Sequence, residues 1–260
     1  MILVCDLGNT NVVFGLYEND VCIDSFRLVS SKLMGLDEYV AKLNSIINDK
    51  KIDITNVAGA IMSSVMPSIS KIIKDAIKIV FKVEALVFGA GVKSGVPIRV
   101  DNPNEVGSDL IAACAGAIAK FGKPLLLVDF GTATKINVVD NNGAFIGCVI
   151  GPGVKLSNEA LVNTAPQLPL ISYEAPRKVI GKNTKDSMNS AAVYGTASMI
   201  DGMVKKIERE LGYRTIRVAT GGLQELITPY CETPFLVDQD VLLFGLYQIY
   251  LKNRGSNNEK

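Results

Sequence analysis

Two stretches decide how this chain folds: "VCDLGNTNVVFGLYEND" (residues 4–20) and "VDFGTATKINVVDNNGAFIG" (residues 128–147). In each, an apolar strand runs into Asp, one further residue, Gly, and then Asn or Thr, before a second strand begins. A Gly two residues after Asp lets the backbone turn sharply and brings main-chain N–H groups close to a ligand. The following Asn or Thr adds side-chain donors suited to phosphate oxygens, and an Asp at a strand end can hold a cation that screens phosphate charge. One such turn alone reads as a turn and nothing more, because Asp and Gly are favoured in turns. Two copies in matched strand–turn–strand settings read as two halves of a nucleotide clamp, gripping a nucleoside triphosphate from both sides of a cleft.

The pattern around the two stretches repeats as well. Ile2–Asp6, Val12–Tyr17 and Val21–Leu28 are β-rich runs joined by short polar turns, which predicts an antiparallel meander. Leu36–Asn48 changes to a helical period, and Val57–Met62 is a short strand. Pro67 opens a second helix, and strands at Ala85–Phe88 and Pro97–Val100 follow. An Ala- and Gly-rich helix from about Glu105 ends at Gly122 as a C-cap, its small side chains suiting close helix packing or a hinge. The second half restarts with strands at Pro124–Asp129, Lys135–Asp140 and Ala144–Ile150, with "DNNG" as the hairpin turn. Helices at about Leu156–Asn163 and Thr184–Leu211, a strand at Thr215–Ala219 and a last helix at about Asp240–Asn253 complete it. The predicted fold is α/β with two lobes, residues 1–118 and 119–260, each a mixed sheet with helices. The last helix is a candidate to pack back at the lobe interface.

Composition narrows the function. With 260 residues, 48% of them apolar, the chain can bury a sizeable core. A net charge of +1 gives no electrostatic case for nucleic acid or an anionic membrane, and no apolar run reaches bilayer-spanning length. The first residues carry no charged leader and begin directly as a strand, so no signal peptide is expected. The polar end "LKNRGSNNEK" is expected to fray. The five cysteines are odd in number and scattered, which predicts buried thiols in a reducing cytoplasm and neither disulfides nor a zinc site. There is no His, so any general base must be Asp, Glu, Lys, Tyr or Cys.

The ordered set "DLGNTNVVFGL", "SSVMP", "NPNEVGSD", "VDFGTAT", "GPG", "GKNT", "YG" and "TGGL" resembles type III pantothenate kinases along nearly the whole chain. That family belongs to the actin/hexokinase/chaperone superfamily, whose two RNase H-like lobes close on ATP. The resemblance implies an ATP-dependent kinase that phosphorylates pantothenate to 4′-phosphopantothenate, the first step of coenzyme A biosynthesis. It implies that Asp6, Leu7, Gly8, Asn9, Thr10, Asn11, Val12 and Val13 bind ATP, with Thr132, and that Gly221 and Gly222 form the adenosine turn. Read on residues alone, those two glycines equally suit the start of a helix. Asp129 matches the position of a monovalent cation, potassium or ammonium, and Asp6 is the candidate carboxylate for Mg²⁺.

Gly107, Ser108, Asp109 and Leu110 match the substrate segment, usually Gly-Ala-Asp-Arg, with Asp109 as the catalytic base. Without the family, Asp109 reads as a helix N-cap. Thr184 matches a residue that touches pantothenate across a homodimer interface, and it also suits the N-cap of the helix that follows.

Four positions depart from the family pattern. Leu110 replaces an Arg, and Val100 stands where a Tyr usually lies near the substrate. Lys135 ends the second turn in place of Thr, and Ala191 replaces Gly. Arg would hold the carboxylate of pantothenate by bidentate bonds, so its loss costs on the order of 1.5–3 kcal/mol. Lys135 reads as an exposed lysine at a strand start, or as a cation that reaches substrate or phosphate. These departures leave open a weakened nucleotide-binding or regulatory protein, or a kinase of another small alcohol.

Overall fold

A computed structural model describes residues 1–254. In chain order the first elements are β1 (Ile2–Leu7), β2 (Asn11–Glu18), β3 (Val21–Val29), α1 (Leu36–Lys50), β4 (Gly59–Ser64), α2 (Pro67–Phe81) and β5 (Ala85–Val87). Then come α3 (Ser108–Phe121), β6 (Leu125–Phe130), β7 (Ala133–Val139), β8 (Phe145–Pro152) and α4 (Val154–Thr164). The last are α5 (Thr184–Ser190), α6 (Thr196–Leu211), β9 (Ile216–Thr220), the single turn α7 (Gln224–Ile227), β10 (Leu236–Val237) and α8 (Val241–Asn253).

Among the described residues the strands form two five-stranded sheets, ordered β3-β2-β1-β4-β5 and β8-β7-β6-β9-β10. In each, the first three strands are an antiparallel meander, and the last two run parallel to the first. The repeat that the sequence suggests at the level of motifs is therefore a repeat of topology, strand for strand.

The described residues divide into two compact units: residues 1–97 with 101–120 and 240–254, and residues 98–100 with 121–239. The last helix thus belongs to the first unit, not to the half of the sequence it follows. In the first unit, Leu3, Cys5 and Leu7 alternate toward one face, where Tyr39 and Leu43 of α1 and Ile73 and Ile77 of α2 bury them. Pro67 starts α2 at a position where its missing N–H costs nothing.

The opposite face of β1, β2 and β4 is covered by α8. Buried residues run all round this helix, because α3 packs on it too. Gly116 of α3 and Gly245 of α8 meet there. A Cβ on Gly116 would strike the Val241 carbonyl, and one on Gly245 would strike the Ala112 carbonyl, so the two backbones touch. This is the close helix packing that the small residues of α3 suggest.

In the second unit, Leu126, Val128 and Phe130 pack with Ile136 and Val138 against Val193, Ala197, Ile200 and Val204. The stretch predicted as one helix, Thr184–Leu211, is continuous but carries a π-helical turn at Ala191–Gly195 between α5 and α6. The expected strand Pro97–Val100 is only a bridge from Ile98 to Phe145, because Arg99 N–H alone pairs onward, to the Phe145 carbonyl. The helix predicted from Glu105 begins at Ser108, after a short 3₁₀ turn at Pro103–Glu105 that Asn102 caps.

Gly122 ends α3 with φ +88°, as a C-cap glycine should. All five cysteines are free, but Cys148 is exposed where a buried thiol was expected, since it lies on the outer strand β8. Of the end expected to fray, residues 251–253 are helical, and everything from residue 255 lies outside the described residues.

Candidate active site

The first acidic turn closes the β1–β2 hairpin. Gly8 N–H donates to the Asn11 carbonyl at 3.0 Å, and a Cβ on Gly8 would sit 3.2 Å from that oxygen. Ser30, just beyond β3, holds the turn from outside: its hydroxyl donates to the Gly8 carbonyl at 2.7 Å and its N–H to the Thr10 carbonyl at 3.0 Å. Asn9 and Thr10 are left exposed at the tip, while Leu7 and Val12 are buried beneath it. Asp6 lies half-buried beside Ser63 of β4, its parallel register partner. The fully buried Ser63 hydroxyl donates to Asp6 Oδ1 at 2.6 Å, which fixes the orientation of the carboxylate. Sequence reading assigned no role to Ser63 or Ser30. A Ser at the end of the apolar strand Gly59–Ser64 was the available signal.

The second turn occupies the same place in the second sheet, one residue shorter. Leu7 pairs with Val12 in the first hairpin, and Phe130 with Thr134 in the second. Three glycines pack around it. A Cβ on Gly153 would collide with the carbonyls of Gly131 and Thr132, and Gly153 N–H donates to the Thr132 carbonyl at 3.0 Å. Gly221 has φ +94°, and a Cβ there would lie 2.6 Å from Asp129 Oδ1 and 2.7 Å from the Phe130 backbone. Gly131 is 3.2 Å from the same oxygen by that measure. Gly222, by contrast, is exposed with nothing near its missing Cβ. Asp129, Thr132, Gly221 and Gly222 are therefore brought together. Gly153 joins them, although sequence reading gave it no role of its own.

Asp129 faces Lys135 directly across the β6–β7 ladder, and Lys135 Nζ lies 3.0 Å from Asp129 Oδ2. The bond follows from register, since opposed residues of an antiparallel pair share a face. Lys135 is thus no free-standing surface lysine.

Asp109 is the second residue of α3 and lies half-buried. Its carboxylate curls back over Gly107, where any Cβ would run into Oδ1. Gly107 also supplies the carbonyl that accepts from Leu110 N–H at 3.1 Å. Leu110 is 9% exposed, turned into the packing of α3. Val100 is half-buried in the second unit, and Thr184 is exposed at the first position of α5. The cap of α5 is Asn183, whose side chain accepts from Asp186 N–H at 2.9 Å, so capping does not explain Thr184.

A family model described as type III pantothenate kinase matches residues 2–206. A type III pantothenate kinase of an Exiguobacterium strain is 40% identical over 254 residues, covering 98% of this chain and all of the relative. The chain belongs to the type III pantothenate kinase family. A second type III pantothenate kinase, from Halalkalibacterium halodurans, is 38% identical over 97% of this chain and all of its own length. Among solved structures, the activator of 2-hydroxyisocaproyl-CoA dehydratase from Clostridium difficile, with bound ADPNP, has a TM-score of 0.57 at 12% identity. It covers 100% of this chain and 98% of its own, and it shows the shared fold.

The resemblance implies Mg²⁺ and a monovalent cation, and the residues present suit the two differently. Asp6, oriented by Ser63, suits Mg²⁺, which is commonly held by one or two carboxylates plus substrate phosphates. Among the described residues no cluster of three or more Asp, Glu, Cys or His forms a protein-only metal cage. Potassium or ammonium does not fit Asp129 as the resemblance implies, because the Lys135 ammonium already lies against Oδ2. Backbone that would clash with any Cβ at Gly221 closes in beside Oδ1.

Proposed function

We propose that this pantothenate kinase family member transfers the γ-phosphoryl group of ATP to the primary hydroxyl of pantothenate, giving ADP and 4′-phosphopantothenate at the start of coenzyme A biosynthesis. The observation that carries the reading is the duplicated acidic turn, found at the same strand crossing of two sheets of identical topology. In this reading the turn from Asp6 to Val13 contacts ATP phosphates, with Asn9 and Thr10 as its exposed donors, and Thr132 is the ATP contact that belongs to the second turn. Asp6 carries Mg²⁺, whose part is to screen phosphate charge. Gly222 lacks a side chain without any packing reason to lack one, which supports a flat base approaching there.

Asp109 accepts the hydroxyl proton as the oxygen attacks phosphorus. In a chain without His, a half-buried carboxylate folded over a glycine is a reasonable base. Gly107 and Ser108, at the start of α3, border the acceptor in this reading. Thr184, exposed and not needed as a cap, is assigned to the pantothenate site of the neighbouring subunit in a homodimer. ATP and pantothenate as substrates, with free thiols, are in keeping with the cytoplasm.

The test is ADP release coupled to NADH oxidation, with pantothenate as acceptor. Wild type should turn over, and Asp109→Asn should lose about 10²- to 10⁴-fold in kcat, the range for a general base. ATP binding without turnover of pantothenate would overturn the reading. Leu110 favours one second reading, a kinase of an alcohol without a carboxylate, because an apolar, buried side chain replaces the expected Arg. Faster turnover of the corresponding uncharged amide than of pantothenate would select it.

A further inference from the structure

Asp129 and Asp6 end equivalent strands, yet the residues opposite them differ in kind. Val13 faces Asp6 across the first hairpin, and Lys135 faces Asp129 across the second. The Lys135–Asp129 pair is sheltered, with side chains 20% and 25% exposed and a separation of 3.0 Å. The two oxygens of Asp129 have separate surroundings: Oδ1 lies against the glycine backbone at 131 and 221, and Oδ2 meets the ammonium. An ammonium group and a potassium ion carry the same charge and are similar in size. A mobile cation approaching Oδ2 would meet a fixed like charge at contact distance, where repulsion is strong.

We infer that Lys135 is the resident monovalent cation of this chain: its tethered ammonium does at Asp129 what a bound potassium or ammonium ion would otherwise do, and turnover needs no added ion. The activity part of this inference rests on the proposed kinase reaction, while the ion-binding part does not.

The experiment uses the full chain, purified in tetramethylammonium salts, with two readouts. In the coupled assay at constant ionic strength, wild-type kcat should be the same with potassium chloride as with tetramethylammonium chloride. Lys135→Thr should lose about tenfold or more in tetramethylammonium, the scale of a lost charged contact, and regain it in potassium or ammonium. In calorimetry with thallium(I), a potassium surrogate, in the presence of a non-hydrolysable ATP analogue, wild type should show no site and Lys135→Thr one site.

Stimulation of wild type by potassium, or thallium binding to it, overturns the inference, and neither result needs a folded variant. Absence of turnover by both proteins in every salt would instead remove the pantothenate reaction, and the thallium titration would still decide the role of the lysine.

Discussion

Near the end of α6, Glu208 has a side chain only 4% exposed and accepts bonds from Arg217, the Thr215 N–H and hydroxyl, and Arg214. Burial alone would raise its pKa; the bonds from Arg217, Thr215 and Arg214 outweigh that and hold it at about 2. A carboxyl depressed in the folded state stabilises the fold above its unfolded pKa, and that contribution is lost as pH falls through the folded value. Urea unfolding across a pH series should therefore show about 3 kcal/mol disappearing between pH 4.5 and 2. Glu208→Gln should be less stable at neutral pH and show a correspondingly flatter acid limb. At this scale the sequence was readable where chemistry is local: Asp-x-Gly-Asn-Thr announces its own turn. It was not readable where a partner arrives by register. Ser63 beside Asp6 and Lys135 beside Asp129 become neighbours only once strands 57 and 6 residues apart are paired.

Elements were legible where periodicity is long. The apolar stripe of α2 and the whole of Thr184–Leu211 could be read directly, but the π-helical turn inside the latter has no signature in side-chain spacing. Short pieces were harder. The two-residue strand β10 left no pattern, and Pro97–Val100, β-like in composition, makes only a bridge. The contact between α3 and α8 gives a test at this scale. Gly116→Ala should destabilise by about 1–3 kcal/mol, because its Cβ meets backbone that cannot move aside like a side chain. Gly202→Ala, the same chemical change within α6 where nothing lies near, should stabilise by about 0.5–1 kcal/mol through helix propensity. Thermal unfolding of the two variants should shift in opposite directions.

For the molecule as a whole, the doubled motif predicted two lobes, and the sheets repeat strand for strand. The path of the chain between the units was less visible, because a buried apolar helix carries no mark of which sheet it will cover. A homodimer, as proposed from Thr184, should elute with twice the 27.9 kDa chain mass in light scattering. A strictly monomeric chain would count against that assignment. Ending the chain at Gln239 should leave the second sheet complete but strip α8 from β1, β2 and β4. Such a protein should bind a hydrophobic dye and lose cooperative unfolding of the first unit. The same connectivity has a consequence during synthesis. The ribosome releases the first sheet early, yet the helix that seals it is translated last, after everything from Phe121 to Gln239. At about 5–20 residues per second, the nascent chain carries an open apolar face for roughly ten seconds or more, a window in which that face is exposed to aggregation.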